Sequence, residues 1–330
     1  DLGNLLDHLG GQDVVSFTGS EATGRHLRTH PALIQNAVHF MAEQDSLNAS
    51  VLGGDVTVGS AEFDLFVKEV HREITVKAGQ KCTAVRRVMV PDHLLDPVQV
   101  ALIERLANTP IGNPRHPDTR MGALVSLSQR REVLEKAAQI EAEAECVFGE
   151  GDMPVVIDAD AEKGAFVAPH LFRCETPDQA QAVHDIEAFG PVSTLMGYRD
   201  AGHASQLLNR GQGSLVASVF TADAGFARDM VLGSSAYHGR LYFNNATSAK
   251  ESTGHGSPMP HLVHGGPGRA GGGEELGGVR GVMSYMQRTA IQGAPDILSE
   301  ITQRYVPNAT PTPTPDHPFR RSYHQLTLGE

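Results

Sequence analysis

The run from Ala61 to Pro91 constrains the fold most. Phe63, Phe66, Val67, Val70 and Ile74 recur at spacings of three and four, which predicts a helix over Ala61 to Lys77 with one apolar face. Gly79 marks its stop, and Ala84 to Pro91 then reads as a strand. The alternation recurs. Strands are expected at Asp13 to Phe17, Ala37 to Met41, Val155 to Ile157, Val192 to Met196 and Leu215 to Phe220. Helices are expected at Glu21 to Thr29, Pro97 to Leu106, Leu127 to Glu143, Gln179 to His184 and Ala204 to Asn209. Strands that alternate with helices indicate a layered α/β domain around a largely parallel sheet.

Between that helix and that strand lies Val76-Lys77-Ala78-Gly79-Gln80-Lys81-Cys82-Thr83-Ala84. A thiolate, not a thiol, is the nucleophile, and a positive field lowers a thiol pKa. Lys77 and Lys81 beside Cys82 would supply such a field, so Cys82 is the candidate catalytic thiol. Cys146 and Cys174 lack such a setting and read as small buried hydrophobes.

The 330 residues suffice for a large core and two domains or so. A net charge of −12 argues against nucleic acid or an anionic membrane as partner. Three irregularly spaced cysteines make no disulfide framework and fit a reducing cytoplasm. No apolar run approaches the ~18 residues that span a bilayer. No metal-ligand spacing stands out.

Phe17-Thr18-Gly19-Ser20-Glu21-Ala22-Thr23-Gly24 reads as strand, glycine turn and helix start, whose amides can take a phosphate or simply be capped by Ser20. Thioester chemistry also needs a base. Three acids compete: Glu43 in Met41-Ala42-Glu43-Gln44-Asp45-Ser46-Leu47-Asn48, Glu275 in Glu274-Glu275-Leu276-Gly277-Gly278, and the acids of Asp185-Ile186-Glu187-Ala188-Phe189-Gly190-Pro191. Spacing alone does not choose among them. The glycine-rich run Gly265 to Gly273 excludes a regular element and reads as a functional loop or covering segment. Met283 to Ile291 reads as a strand or short helix, apolar enough to pair with another subunit. Pro307 to Pro318 reads as an extended linker.

Phe17-Thr18-Gly19-Ser20, Gly79-Gln80-Lys81-Cys82, Thr119-Arg120-Met121-Gly122, Glu187-Ala188-Phe189-Gly190-Pro191 and Ala217-Ser218-Val219-Phe220-Thr221 follow one another in an order that resembles the aldehyde dehydrogenase superfamily over about residues 1 to 300. Glu43 to Asn48, Gly254-His255-Gly256-Ser257-Pro258 and the run His264 to Gly273 resemble its PaaZ-type members, the bifunctional ring-opening enzymes of phenylacetate degradation. The resemblance implies a three-layer α/β/α fold, truncated at the N-terminus. It implies Cys82 as nucleophile and Glu43, 39 residues earlier, as base. Glu275-Leu276-Gly277-Gly278 matches the family's usual base motif but lies far C-terminal of Cys82, and is taken as a decoy. Glu187 and Phe189 match the positions that hold the cofactor's ribose and nicotinamide. Gly19 and Ser20 match the pyrophosphate site.

The same resemblance divides the chain. Residues 1–45 are expected to end a Rossmann-like cofactor domain, and 46–250 to form the thiol domain. Residues 251–306 would return to the cofactor domain and serve oligomerisation; 307–330, with His317-Pro318-Phe319-Arg320-Arg321, would lead into a fused hydratase-like hot-dog domain. The family's oxyanion-hole asparagine and adenosine-binding lysine are expected before residue 1. The implied activity is oxidation of a coenzyme A-linked semialdehyde with NADP, or NAD, in a cytoplasmic homo-oligomer. Another semialdehyde dehydrogenase, a coenzyme A-acylating dehydrogenase and a catalytically silent fragment are the alternatives.

Overall fold

A computed structural model describes residues 2–151 and 153–310. The chain runs through β1 (Val14–Thr18), α1 (Glu21–Arg28), α2 (Pro31–Gln35), β2 (His39–Glu43), β3 (Ala49–Leu52), α3 (Ala61–Thr75), β4 (Arg87–Pro91) and α4 (Leu95–Ala107). It continues through β5 (Ile111–Gly112), α5 (Leu127–Glu141), β6 (Glu145–Phe148), β7 (Val156–Ile157), β8 (His170–Cys174), α6 (Ala182–Asp185), β9 (Val192–Tyr198) and α7 (Ala201–Asn209). The remaining elements are β10 (Ser214–Phe220), α8 (Ala224–Ser234), β11 (His238–Asn244), β12 (Val263–His264), β13 (Glu275–Leu276), α9 (Val279–Ser284) and α10 (Pro295–Thr302).

Helix α3 begins where Ser60 caps it, its Oγ accepting the Phe63 amide at 3.3 Å. The stripe foreseen in the sequence is its buried face, and full burial of each of Phe66, Val70 and Ile74 contributes ~1.5–3 kcal/mol. A 7-stranded sheet, in the order β11-β10-β3-β4-β9-β8-β6, carries the core. Every pairing in it is parallel except β6 with β8.

Alternate residues of each strand feed opposite faces, as the pleat requires. Val88, Val90, Leu171, Leu195 and Phe220 pack with α3 and α4. Met89, Phe172, Met196 and Val219 pack with Val133 of α5, Leu207 of α7 and Met230 of α8. The result is helix, sheet, helix. Strands β1 and β2 form a separate parallel pair, with Thr18 opposite Glu43. No described helix is long and apolar enough to cross a membrane.

Several boundaries differ from the sequence reading. Strand β2 starts at His39 rather than Ala37, because Ala37 turns at a left-handed φ of 49°. The stretch near Val155 contributes only β7, which pairs with β5, in the breaker-rich loop, and not with the main sheet. Around Met283 the chain is helical over Val279–Ser284. The glycine-rich run holds a short 3-10 turn, Gly268–Ala270. The chain divides into two compact units, residues 1–285 and 286–330. In the second, α10 carries Ser299, which accepts the Val306 amide at 2.9 Å. The later prolines and Phe319, Tyr323, Leu326 and Leu328 lie outside the described residues.

Adjacent arginines at the start of β4 are both buried. Arg87 is 0% exposed and donates to the carbonyls of Leu47, Leu207 and Leu208 at 2.9, 2.8 and 3.0 Å. Burial brings its pKa down to about 9. Burial, then the Arg87 charge, lowers that of neighbouring His184 to about 3. Burial likewise lowers His238 to about 4 and His255 to about 3.

These histidines take protons in the unfolded chain, near pH 6.5, before they do in the folded one. Stability therefore falls as pH drops from 6.5 toward 4, by at most ~1.4 kcal/mol per pH unit for each. Buried Glu73 and Glu187, both raised, act with the opposite sign. The urea midpoint is expected to be lower at about pH 5.5 than at about 7.5. His184→Gln is expected to reduce that difference. Equal midpoints in the parent would contradict the reading.

Candidate active site

Helix α3 gives way to three successive residues in the left-handed region, Lys77 at φ 54°, Ala78 at 51° and Gly79 at 67°. For the two with side chains this costs ~1–2 kcal/mol each. The turn folds the chain back and presents Cys82 beside the end of β2. Its support is buried and polar. Asn48, 0% exposed, donates to the carbonyls of Cys82 and Ala84 at 2.7 and 3.1 Å. Arg86 donates to Gly79 O at 2.9 Å, to Gly190 O at 2.6 Å and to Glu187 Oε1 at 3.4 Å. One guanidinium thus ties the cysteine turn to the Glu187 loop.

Gly79 sits so close to that loop that a Cβ would lie 2.1 Å from Gly190 O. Gly79→Ala is therefore expected to cost more than about 1 kcal/mol and lower the melting temperature by several degrees. It should also slow Cys82 alkylation. An unchanged melting temperature would refute the close approach.

Cys82, Glu43, Gly19, Ser20, Glu187 and Phe189 all line one cleft of about 270 Å³, with Gln129, Glu132 and Lys136 of α5. Glu43, on the last residue of β2, is buried. Glu187 accepts the Ser46 amide at 3.0 Å. Phe189 lies under Arg86, whose guanidinium is 5.5 Å from the ring centroid. Gln129 donates to Phe189 O at 3.1 Å. At the glycine turn, Ser20 caps α1 by accepting the Thr23 amide at 3.3 Å. Gly19 N donates to Glu43 O at 3.0 Å and Glu21 N to Asp45 Oδ1 at 2.9 Å, so two amides of this turn are already engaged.

One expectation is corrected here. The lysines do not activate the thiol: Lys81 Nζ turns to buried Glu73, 2.5 Å away, and Lys77 is exposed. Burial, and then the Glu43 charge, push the Cys82 thiol up to about 12. It is a neutral thiol at rest. Glu275, far from Cys82 in sequence, lies near it in the fold. It stands opposite His264 in the β12–β13 pair and hydrogen-bonds Glu43, with burial and the Glu43 charge raising its pKa. Glycines make this approach possible: at Gly271, φ 100°, a Cβ would lie 2.3 Å from Ala42 O. Glu43 Oε, Cys82 Sγ and a ring nitrogen of His264 lie within 4.8 Å of one another. Of these groups, His264 and Glu275 are joined to the cysteine only by long-range packing, which sequence spacing does not reveal.

The family's sequence profile, that of the aldehyde dehydrogenase family, matches residues 2–291. The chain belongs to this family. It is 45% identical, over 80% of its length and 51% of the relative's, to a 3,4-dehydroadipyl-CoA semialdehyde dehydrogenase of Aromatoleum evansii. It is 49% identical, over 64% of its length and 61% of the relative's, to Protein MaoC of Klebsiella aerogenes. The chain thus spans roughly half the length of these relatives. Among solved structures, betaine aldehyde dehydrogenase from Staphylococcus aureus in complex with NAD+ superposes with a TM-score of 0.71 at 29% identity. That match covers 84% of this chain and 51% of the other. The α/β/α layers are thus those of an aldehyde dehydrogenase.

Proposed function

We propose that this chain is the thiol-bearing part of an enzyme that oxidises a coenzyme A-linked semialdehyde to its acid. The observation that carries the proposal is the meeting of Cys82 and Glu43 in one cleft with Gly19, Ser20, Glu187 and Phe189. The semialdehyde class follows the name of the 45% identical relative. The setting is ring-opening degradation of aromatic compounds.

In this reading Cys82 Sγ attacks the aldehyde carbon, and the carbonyl electron pair moves to oxygen. NADP or NAD, when bound, supplies the hydride acceptor. The residues present fit such a group: a helix N-terminus at Ser20, a buried carboxylate at Glu187 and an aromatic face at Phe189. A phosphate bound at the turn would compete with Asp45 for the Glu21 amide. Glu43 then takes a proton from water, which attacks the Cys82 thioester. The thiolate leaves and the acid is released.

We assign NADP ahead of NAD, and a homo-oligomer. The exposed apolar residues Val279, Val282, Met283 and Tyr285 support a subunit contact. A fused hydratase-like domain would feed the aldehyde directly to this site.

Steady-state assays of the full-length protein test the reading. A coenzyme A-linked semialdehyde is expected to give a kcat/KM at least about tenfold above that of a short free aldehyde. The product should be the acid, with no need for free coenzyme A. A requirement for free coenzyme A and a thioester product would replace this proposal with the acylating reaction.

A further inference from the structure

We propose that His264 is the group that takes the proton from Cys82, a role that rests on the dehydrogenase reading above. Its Nε2 lies 4.0 Å from Cys82 Sγ and 3.4 Å from Glu43 Oε2. It faces both groups, which also meet each other directly, the Glu43 carboxylate lying within reach of the Cys82 thiol. Glu43 Oε2 is buried and, this approach aside, has no hydrogen-bond partner among the described residues, while the Glu43 carboxylate as a whole also meets Cys82 and Glu275. The thiol is neutral at rest, and the lysine charge that could have stabilised a thiolate is spent on Glu73. Thiol deprotonation therefore needs an acceptor within reach; Glu43 and His264 both face Sγ, and His264 is the nearest imidazole among the described contacts.

Histidine is suited to this by chemistry, since one ring nitrogen accepts while the other keeps its proton. The S–H bond breaks and leaves its electron pair on sulfur, and an N–H bond forms at Nε2. That N–H then gives its proton to Glu43 Oε2, and Glu43 passes it to water before acting as base in hydrolysis. No oxidant or further reactant is involved.

The position is built by the fold. The β12–β13 pairing sets His264 opposite Glu275, and β12 packs beside β11. Cys82, Glu43 and Glu275 are the titratable groups that face the imidazole. The charged and titratable groups of β11 are engaged elsewhere. Arg240 donates to His255 O, Tyr242 pairs with Ser252, and His238 contacts Ser234 O at 2.8 Å.

Alkylation by iodoacetamide tests the inference without aldehyde or nicotinamide, so it stands apart from the dehydrogenase reading. The full-length protein and its His264→Gln and His264→Asn variants are alkylated from about pH 6 to 10, and each cysteine is quantified by peptide mass spectrometry. Near neutral pH, Cys82 in the parent is expected to react at least about tenfold faster than in either variant. In the variants its rate should climb about tenfold per pH unit across the range, as for an unassisted thiol. Cys146, which lies outside the cleft, should react alike in all three and so report an intact fold. Equal Cys82 rates and equal pH profiles in the parent and a folded variant overturn the proposal. His264→Asn, smaller than histidine, decides the matter if His264→Gln does not fold.

Discussion

Replacing Cys82 with alanine is expected to abolish aldehyde oxidation by the full-length protein, with a fall of at least about a thousandfold in kcat. The substitution removes one sulfur from the wall of a cleft and leaves both core clusters untouched. Asn48 grips the Cys82 backbone carbonyl, not its side chain, so the turn keeps its anchor. The melting temperature should therefore move by only a few degrees. Without a thiol no covalent intermediate forms, and the remaining groups can orient an aldehyde but cannot carry it through acyl transfer. Activity within about tenfold of the parent would remove Cys82 from the mechanism. The two other cysteines provide the control. Cys174 is buried in the core and Cys146 donates to Phe148 O at 3.4 Å, so alanine at either should leave turnover nearly unchanged.

Glu43→Gln has the second largest effect expected, a fall in steady-state turnover of roughly 10²–10⁴-fold. Its distinguishing sign is kinetic. The amide cannot take a proton from water, so the thioester accumulates after one hydride has left. A burst of reduced nicotinamide followed by slow turnover is the expected trace. The relation of Glu43 to Glu275 sharpens the test. The two carboxyls share a hydrogen bond, and burial, then the Glu43 charge, raises the Glu275 pKa. Glu275→Gln keeps a donor toward Glu43 and should lower turnover far less. A burst from Glu275→Gln with none from Glu43→Gln would exchange their roles.

The legible parts of this fold are those where local pattern and burial agree. Phe63 to Ile74 wrote α3 and its buried face. The apolar runs of β9 and β10 wrote two central strands. Strands β3, β8 and β11 were not foreseen. His170–Cys174 reads His-Leu-Phe-Arg-Cys, and His238–Asn244 mixes Arg240 and Asn244 with apolar residues, so neither shows a clean period. Arg86 and Arg87 look like a charged surface pair in sequence, yet both are buried, and their value lies in the carbonyls they satisfy.

At the site, Gly19, Ser20, Glu43, Cys82, Glu187 and Phe189 were named from short motifs and meet in one cleft. The electrostatics were not legible. Lys81 is the residue beside Cys82 in sequence, but its charge is directed to Glu73. His264, 182 residues away, faces the sulfur instead. Strand pairing, the close approach of Gly271 to Ala42 and the Gly273 amide donating to Ala42 O bring the late glycine-rich segment there.

The most direct measurement is to identify the covalent intermediate. Full-length Glu43→Gln protein is mixed with NADP and a coenzyme A-linked semialdehyde, quenched in acid and mapped by peptide mass spectrometry. The peptide carrying Cys82 is expected to gain the mass of the aldehyde less two hydrogens, as a thioester formed after hydride loss requires. Cys146 and Cys174 should remain unmodified. Aldehyde oxidation with no adduct on Cys82, or an adduct on another cysteine instead, would contradict the assignment of Cys82 as the nucleophile.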